Sequence, residues 1–277
     1  MAVVTMSPRA SLAYGVLCGL LGVESRQVLC EVFLDDARPE AIVWRAKTAL
    51  FRWVARRSLG VIVNSTGEQT RVAERFGIPL ERVRFVPLCT TVETPRYVAP
   101  VPGGGVVTAG RTARDLETYW AAARLLPEVP FVAIVGAGQQ LPEDDLPANM
   151  QVVRECSWNE CMERLGRAEV VALPLLPSER STGQVVLLEA MALGKAVVTT
   201  RMTGTVDYVQ DGVTGVFTEE GDAPGLVAVL RRLLASPEER ERLGRAALAF
   251  VEAELGSERH AERRLAAVDD LVGSKSP

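Results

Sequence analysis

One histidine, His260, serves the whole 277-residue chain, so chemistry that relies on imidazole as base, acid or metal ligand has almost nothing to draw on. The five cysteines, at 18, 30, 89, 156 and 161, form an odd set with no Cys-x-x-Cys and no Cys/His spacing. A disulfide framework and a structural zinc site are both excluded as readings, and a reducing, cytoplasmic setting is expected. Aromatic residues make up only 5%. No apolar run reaches the roughly 18 residues that a membrane-spanning helix needs. The nearest approach, Ser11 to Val23 behind Arg9, has the outline of a short signal-peptide core but lacks a small-residue cleavage pattern, and is taken as a buried helix. There is no internal repeat or low-complexity tract.

What is present is an ordinary globular composition, 48% hydrophobic and 24% charged with a net charge of -4. The charge is uneven. Residues 1–100 carry 13 Lys/Arg against 9 Asp/Glu, while the remainder carries 18 against 26. An acidic chain without a recognition motif argues against nucleic acid as a partner.

Short apolar runs alternate with helical stretches from end to end, the pattern of parallel sheets covered by helices. Strands are expected at Val3–Thr5, Gln27–Phe33, Gly60–Asn64 and Val83–Val86, with helices at Ser11–Leu21, Pro39–Arg57 and Glu68–Phe76. A proline- and glycine-rich stretch, Pro95, Pro100, Pro102 and Gly103–Gly105, marks a linker. Beyond it, strands are expected at Val106–Ala109, Phe131–Val135, Gln151–Arg154, Val170–Leu173, Ala196–Thr199 and Gly215–Thr218, enough for a complete doubly wound domain. From Ala223 the chain is expected to be helical, with Ser236 and Ser257 opening the last helices. The domains are therefore drawn as 1–95, a linker at 96–105, a second domain at 106–254 and a C-terminal helix at 255–277 that packs back on the first.

The segment from Ser181 to Gly194 is the most informative. It opens with small polar residues, continues as a helix apolar on nearly every side and stops at a glycine. Such a helix is buried. Glu189 sits inside it, and a buried carboxylate needs a cation or hydroxyl donors, so its partner is a bound ligand's hydroxyls or an internal salt bridge. At the helix start, Thr182, Gly183, Gln184 and Val185 offer backbone N–H groups at the positive end of the helix dipole, a setting that suits a phosphate.

The stretch Val170 to Gly215, which reads Val-Val-Ala-Leu-Pro-Leu, then Leu-Leu-Glu-Ala-Met-Ala-Leu-Gly-Lys-Ala-Val-Val-Thr-Thr, then Tyr-Val-Gln-Asp-Gly-Val-Thr-Gly, resembles the donor half of GT-B-fold glycosyltransferases, family 4 in particular. The likeness extends through Val106–Gly138 and Val61–Pro87. It implies two Rossmann-like doubly wound lobes of GT-B type with a reduced N-terminal lobe. It also implies transfer of a hexose from a UDP- or GDP-linked donor bound between the lobes to a saccharide or lipid-linked acceptor, with retention, in cell-envelope or polysaccharide biosynthesis. Glu189 then holds the ribose hydroxyls and the helix start takes the diphosphate. The family carries a further glutamate eight residues earlier. Ser181 stands there, with Glu179 as the nearest stand-in. After the first strand of this domain, Gly110-Arg111 matches the family and Arg114 stands in for its lysine, so both arginines are expected to stabilise the leaving diphosphate. The alternative for Arg114 is an ion pair with Asp115 or Glu117. No metal and no other cofactor are implied.

Gly136 and Gly138 fail the dinucleotide spacing because position 141 is leucine, and are read as a turn over the donor. Cys156 and Ser157 fall where the family contacts the nucleobase, and Trp158 is read as a core residue or a stacking surface. The family's N-terminal histidine has no counterpart. A neighbouring chain supplying part of the first lobe is therefore a candidate partner, and the competing function is a non-catalytic nucleotide-sugar-binding or partner subunit. In residues 41–59, Arg45, Arg52 and Arg56 fall along one helix side and Val43, Leu50 and Val54 along another, with Trp44, Phe51 and Trp53 between. That is either a core helix with a solvated basic face or a helix lying on an anionic membrane, which would put the protein at the inner face of the membrane.

Overall fold

The computed structural model describes residues 2–30, 32, 40–139, 141 and 145–274. They form two units. One comprises the chain up to Leu88, Ser178–Ser181 and the chain from Ser257; the other comprises Cys89–Pro177 and Thr182–Gly256. No helix among the described residues is long and apolar enough to cross a membrane.

The first unit has four parallel strands, β1 (Val3–Thr5), β2 (Gln27–Cys30), β3 (Gly60–Val63) and β4 (Val83–Phe85), in the order β1-β2-β3-β4. Between them lie α1 (Pro8–Leu20), α2 (Ile42–Arg57) and α3 (Thr66–Phe76). β2 and β3 are buried at every position, as strands covered on both faces must be. Alternation sorts their side chains: Leu29, Val61, Val63 and Val83 meet Phe51, Val54, Val72 and Phe76 of the connecting helices. Val28, Cys30 and Ile62 point the other way, onto Ala267 and Leu271 of the chain's last helix (Ser257–Gly273). Gly60 permits that approach, since a Cβ there would lie 2.5 Å from the Arg82 carbonyl oxygen and 2.6 Å from Leu271 Cδ2. Of the expected strand Gln27–Phe33, the part at residues 31 and 33 lies outside the described residues, as does Pro39 of the expected second helix.

Two helices differ from expectation. α1 buries only Ser11, Gly15 and Cys18 fully, while Leu17, Leu20 and Leu21 are exposed, because its small residues are the ones that fit against the sheet and α2. In α2, Val54 is core, packed at Gly15 of α1, while Val43 and Leu50 are exposed. Arg52 and Arg56 are not a free basic face. They donate to the Arg75 and Gly77 carbonyls at the C-terminal end of α3, where unsatisfied acceptors and the negative end of the dipole attract cations.

The second unit has six parallel strands: β5 (Val106–Ala109), β6 (Phe131–Val135), β7 (Met150–Arg154), β8 (Val170–Leu173), β9 (Ala196–Thr200) and β10 (Val216–Thr218). Their order is β10-β9-β8-β5-β6-β7. α4 (Leu116–Leu125) and α7 (Ala223–Ala235) cover one face through Tyr119, Trp120, Leu226 and Leu230. The remaining helices are α5 (Trp158–Arg167), α6 (Gln184–Ala192) and α8 (Pro237–Glu254), and the last helix described above is α9. The order reverses between β5 and β8, and in open α/β sheets ligands bind at the carboxyl ends of strands at such a switch point.

The stretch expected to be a linker is instead strapped to the second unit. The Arg96, Val98 and Val101 amides donate to the carbonyls of Ala192, Leu193 and Arg167. Its prolines prevent a regular strand, and the N–H groups between them find acceptors one by one. The chain passes between units at Leu88 and Cys89 instead.

Candidate functional site

At the switch point the loops that leave β5 and β8 are tied together. The Asp115 amide donates to Pro174, the Leu176 amide to Ala113, and Arg114 and Leu175 form an antiparallel bridge. Asp115 caps α4 by accepting from the Thr118 amide and hydroxyl, so it is not an ion-pair partner for Arg114. Arg114 turns back on its own loop, with Nε donating to the Ala109 carbonyl at 2.6 Å and Nη1 to Thr112 at 3.0 Å. It pairs with no carboxylate among the described residues. Burial draws its guanidinium down to about 10, still a cation at neutral pH. Gly110, at φ 130°, is what lets it lie there, because a Cβ would sit 2.1 Å from Arg114 Nη2. Arg111 is exposed and its side chain lies over Gly136.

α6 starts behind Gly183, a left-handed residue at φ 86°, and no side chain caps its first amides. Thr182 and Gln184 are buried, and Val185 is exposed. Gln184 turns inward to the Tyr208 hydroxyl, so its bulk does not stand in front of the helix end.

One helical turn on, Glu189 is 5% exposed. Its Oε1 accepts from Thr91 Oγ1 at 2.7 Å and from Trp158 Nε1 at 3.1 Å. Its Oε2 accepts no hydrogen bond from a described residue, and no cation among the described residues pairs with it. Of the two expectations for this carboxylate, the internal salt bridge is the one not found among the described residues. Trp158 is no core residue: half of its surface is exposed, and its N–H is spent on Glu189. Thr91 and Trp158 also line a cleft of about 870 Å³ with Val92, Met162 and Leu193.

The neighbouring loops are held by hydrogen bonds of their own. Ser157 caps α5 in a reciprocal box with Glu160, whose carboxylate accepts from the Ser157 amide and hydroxyl and is thereby held below its usual range. Cys156 is half-buried, and the neighbouring Cys161 thiol is pushed up to about 12, mainly by burial. The turn through Gly136 and Gly138 is held by Arg154, which donates to the carbonyls of Ala137 and Gln139.

Glu179 and Ser181 lie in the short stretch that belongs to the first unit. The Glu179 carboxylate pairs with Arg75 and its carbonyl accepts from Arg71. The Ser181 amide donates to Glu68 Oε1 at 2.7 Å and its hydroxyl bonds that of Ser65. Both residues thus make these contacts within the first unit, with α3 and its cap. Three residues escaped the sequence reading. Glu68 was detectable, since Ser65-x-x-Glu68 is a capping signature and starts α3 at Thr66 rather than Glu68. Thr91 and the role of Trp158 carry no local signal.

A six-stranded sheet with one reversal, a polar site at that reversal and a second parallel-sheet unit define a protein of GT-B type. Over residues 120–250 the chain matches the family model described as glycosyl transferases group 1. It is similar to the glycogen synthase of Mycobacterium tuberculosis (strain ATCC 25618 / H37Rv), 27% identical over 211 residues, covering 72% of this chain and 51% of the relative. It is also similar to the N-acetyl-alpha-D-glucosaminyl L-malate synthase of Bacillus anthracis, 32% identical over 157 residues, 54% of this chain and 40% of the relative. The chain spans about half the length of the curated relatives it matches. Among solved structures, Anabaena Alr3699/HepE in complex with UDP-glucose superposes with a TM-score of 0.74 at 16% identity, over 96% of this chain and 77% of that one. Sucrose-phosphate synthase from Thermosynechococcus elongatus gives 0.75 at 20% identity, over 94% and 72%.

Proposed function

We propose that this chain binds a nucleoside-diphosphate hexose, UDP- or GDP-linked, on its second unit and transfers the sugar with retention to a saccharide or lipid-linked acceptor. One observation carries the reading: the second unit holds an uncapped helix start, a cation that pairs with no described carboxylate and a buried carboxylate with one oxygen free of described donors, the first two meeting at Leu175 after β8. Each suits one part of such a donor. The amides of α6 take phosphate oxygens, Arg114 with Arg111 stabilises the charge that grows on the leaving diphosphate, and Glu189 accepts from the ribose hydroxyls. The loops at Gly136, Gly138, Cys156 and Ser157 border the donor through their backbone. The relatives' names and the UDP-glucose complex support a sugar-nucleotide donor. Titration calorimetry with UDP- and GDP-sugars tests this. Wild type binds one of them, and Glu189→Ala loses roughly 1.5–3 kcal/mol, the range for hydrogen bonds to a charged group. No binding of either at millimolar concentration removes the reading.

The competing reading is a nucleotide-sugar-binding subunit without transfer activity, favoured by the commitment of Glu179 and Ser181 to α3 and its cap. Donor binding without turnover on any acceptor, restored by a partner polypeptide, distinguishes it.

The proposed site of action is the inner membrane face, supported by α2. Ile42, Ala46, Ala49 and Leu50 recur on its outward side, opposite the core stripe of Thr48, Phe51 and Ala55, and Trp53, whose ring packs at Gly19 of α1 and is still exposed, borders them. A helix facing only water has no use for a second apolar stripe, and Arg45, Lys47 and Arg57 flank this one. Sedimentation with phosphatidylglycerol vesicles checks it. Binding that is weakened by salt and by Trp53→Glu is expected, and equal binding to neutral vesicles, or none, defeats it.

A further inference from the structure

We infer that Thr91 and Trp158 are positioning residues for the donor's ribose: they hold one oxygen of Glu189 so that the other is presented to the sugar hydroxyls. The inference rests on the donor reading above. A carboxylate's terminal torsion is broad and roughly two-fold, so a glutamate in an apolar helix has no intrinsic preference for which oxygen faces a ligand. Here the choice is made by geometry. Thr91 Oγ1 and Trp158 Nε1 both donate to Oε1, at 2.7 and 3.1 Å, from segments 98 and 31 residues away. Oε2 is left as the acceptor.

Neither donor is forced into place by burial. The indole N–H can only donate, and its ring is half exposed and borders the 870 Å³ cleft, so it is not held there by a core. Thr91 is exposed, and a hydroxyl at the surface has water as an alternative. That both are nonetheless turned onto the same buried oxygen lowers the cost of burying the charge and removes the rotation that ribose binding would otherwise have to freeze. Lys195, the most buried of the other charged side chains described, donates to the Val98 and Gly166 carbonyls and is thereby accounted for as a fastener of the strap.

The test compares UDP with 2′-deoxy-UDP, and GDP with 2′-deoxy-GDP, by calorimetry on the full chain. The variants are Thr91→Val, Thr91→Ser, Trp158→Phe and Glu189→Gln, each with its melting temperature. Both Thr91 and Trp158 are solvent-accessible, so their variants are expected to fold. Wild type prefers the ribonucleotide. Thr91→Val and Trp158→Phe lose about tenfold of that preference, equivalent to about 1.4 kcal/mol, toward the level of Glu189→Gln, while Thr91→Ser keeps it. A merely structural role would lower stability or affinity for both nucleotides alike and leave the preference intact. If wild type shows the preference and both Thr91→Val and Trp158→Phe retain it fully, the inference is overturned while the donor reading stands. If wild type binds a nucleotide but ignores the 2′-hydroxyl, the ribose role of Glu189 falls and the inference with it. If neither UDP nor GDP binds, the donor reading itself has failed.

Discussion

Replacing Lys195 by methionine should remove a pH dependence that can be worked out in advance. The ammonium is 2% exposed and donates to the Gly166 carbonyl at 2.7 Å and the Val98 carbonyl at 3.0 Å. Burial, with a smaller contribution from the nearby Arg240 charge, lowers its pKa from an ordinary 10.5 to about 8. A folded-state value below the unfolded one means that the unfolded chain holds more protons between the two. Unfolding free energy therefore rises with pH across that interval. Below pH 8 the amine is charged in both states and the full cost of burying it is present. Between pH 8 and 10.5 the folded protein sheds the proton and the cost disappears, while the neutral amine can still donate to both carbonyls. At 1.36 kcal/mol per unit the swing is about 3 kcal/mol. Other groups titrate in this range, so the quantity to measure is the difference between wild type and Lys195→Met in urea unfolding, from pH 7 to 10.5. The difference should shift by about 3 kcal/mol in favour of wild type as pH rises. A flat difference, or one moving the other way, would refute the assignment of the burial cost to this amine.

Gly60→Ala should lower the unfolding free energy by about 1–3 kcal/mol, read as a lower urea midpoint at unchanged slope, since a Cβ there meets the Arg82 carbonyl and Leu271 of α9. Ser65→Ala should cost about 1 kcal/mol in thermal unfolding, because it removes the α3 cap and, with it, the partner of the Ser181 hydroxyl. Arg114→Met should weaken UDP or GDP binding about tenfold at low salt and flatten its salt dependence. Unchanged salt dependence in calorimetry would mean that Arg114 serves only to brace the loop through the Ala109 and Thr112 carbonyls.

Much of the molecule is local in origin and was readable as such. The valine-rich strands of the second unit announce themselves because a strand buried on both faces has to be continuously apolar, as β8 and β9 are. Glu189 stands out because a lone carboxylate in an apolar helix is costly enough to demand a reason. Capping works the same way: Ser236 satisfies orphan amides within one turn. What such patterns cannot contain is the identity of a partner far along the chain. Thr91 reaches Glu189 across 98 residues. α9 closes the face of β2 and β3 that the chain laid down more than two hundred residues earlier. Arg52 and Arg56, read as a basic face for water or for lipid, are drawn instead to the carbonyl end of α3. Ser181, which the family resemblance alone singles out, bonds to the cap of that same helix. In each case the side chain's own chemistry was evident, a donor, an acceptor or a cation. Which unmet group it answers was decided only when parallel strands with crossover connections brought distant segments side by side.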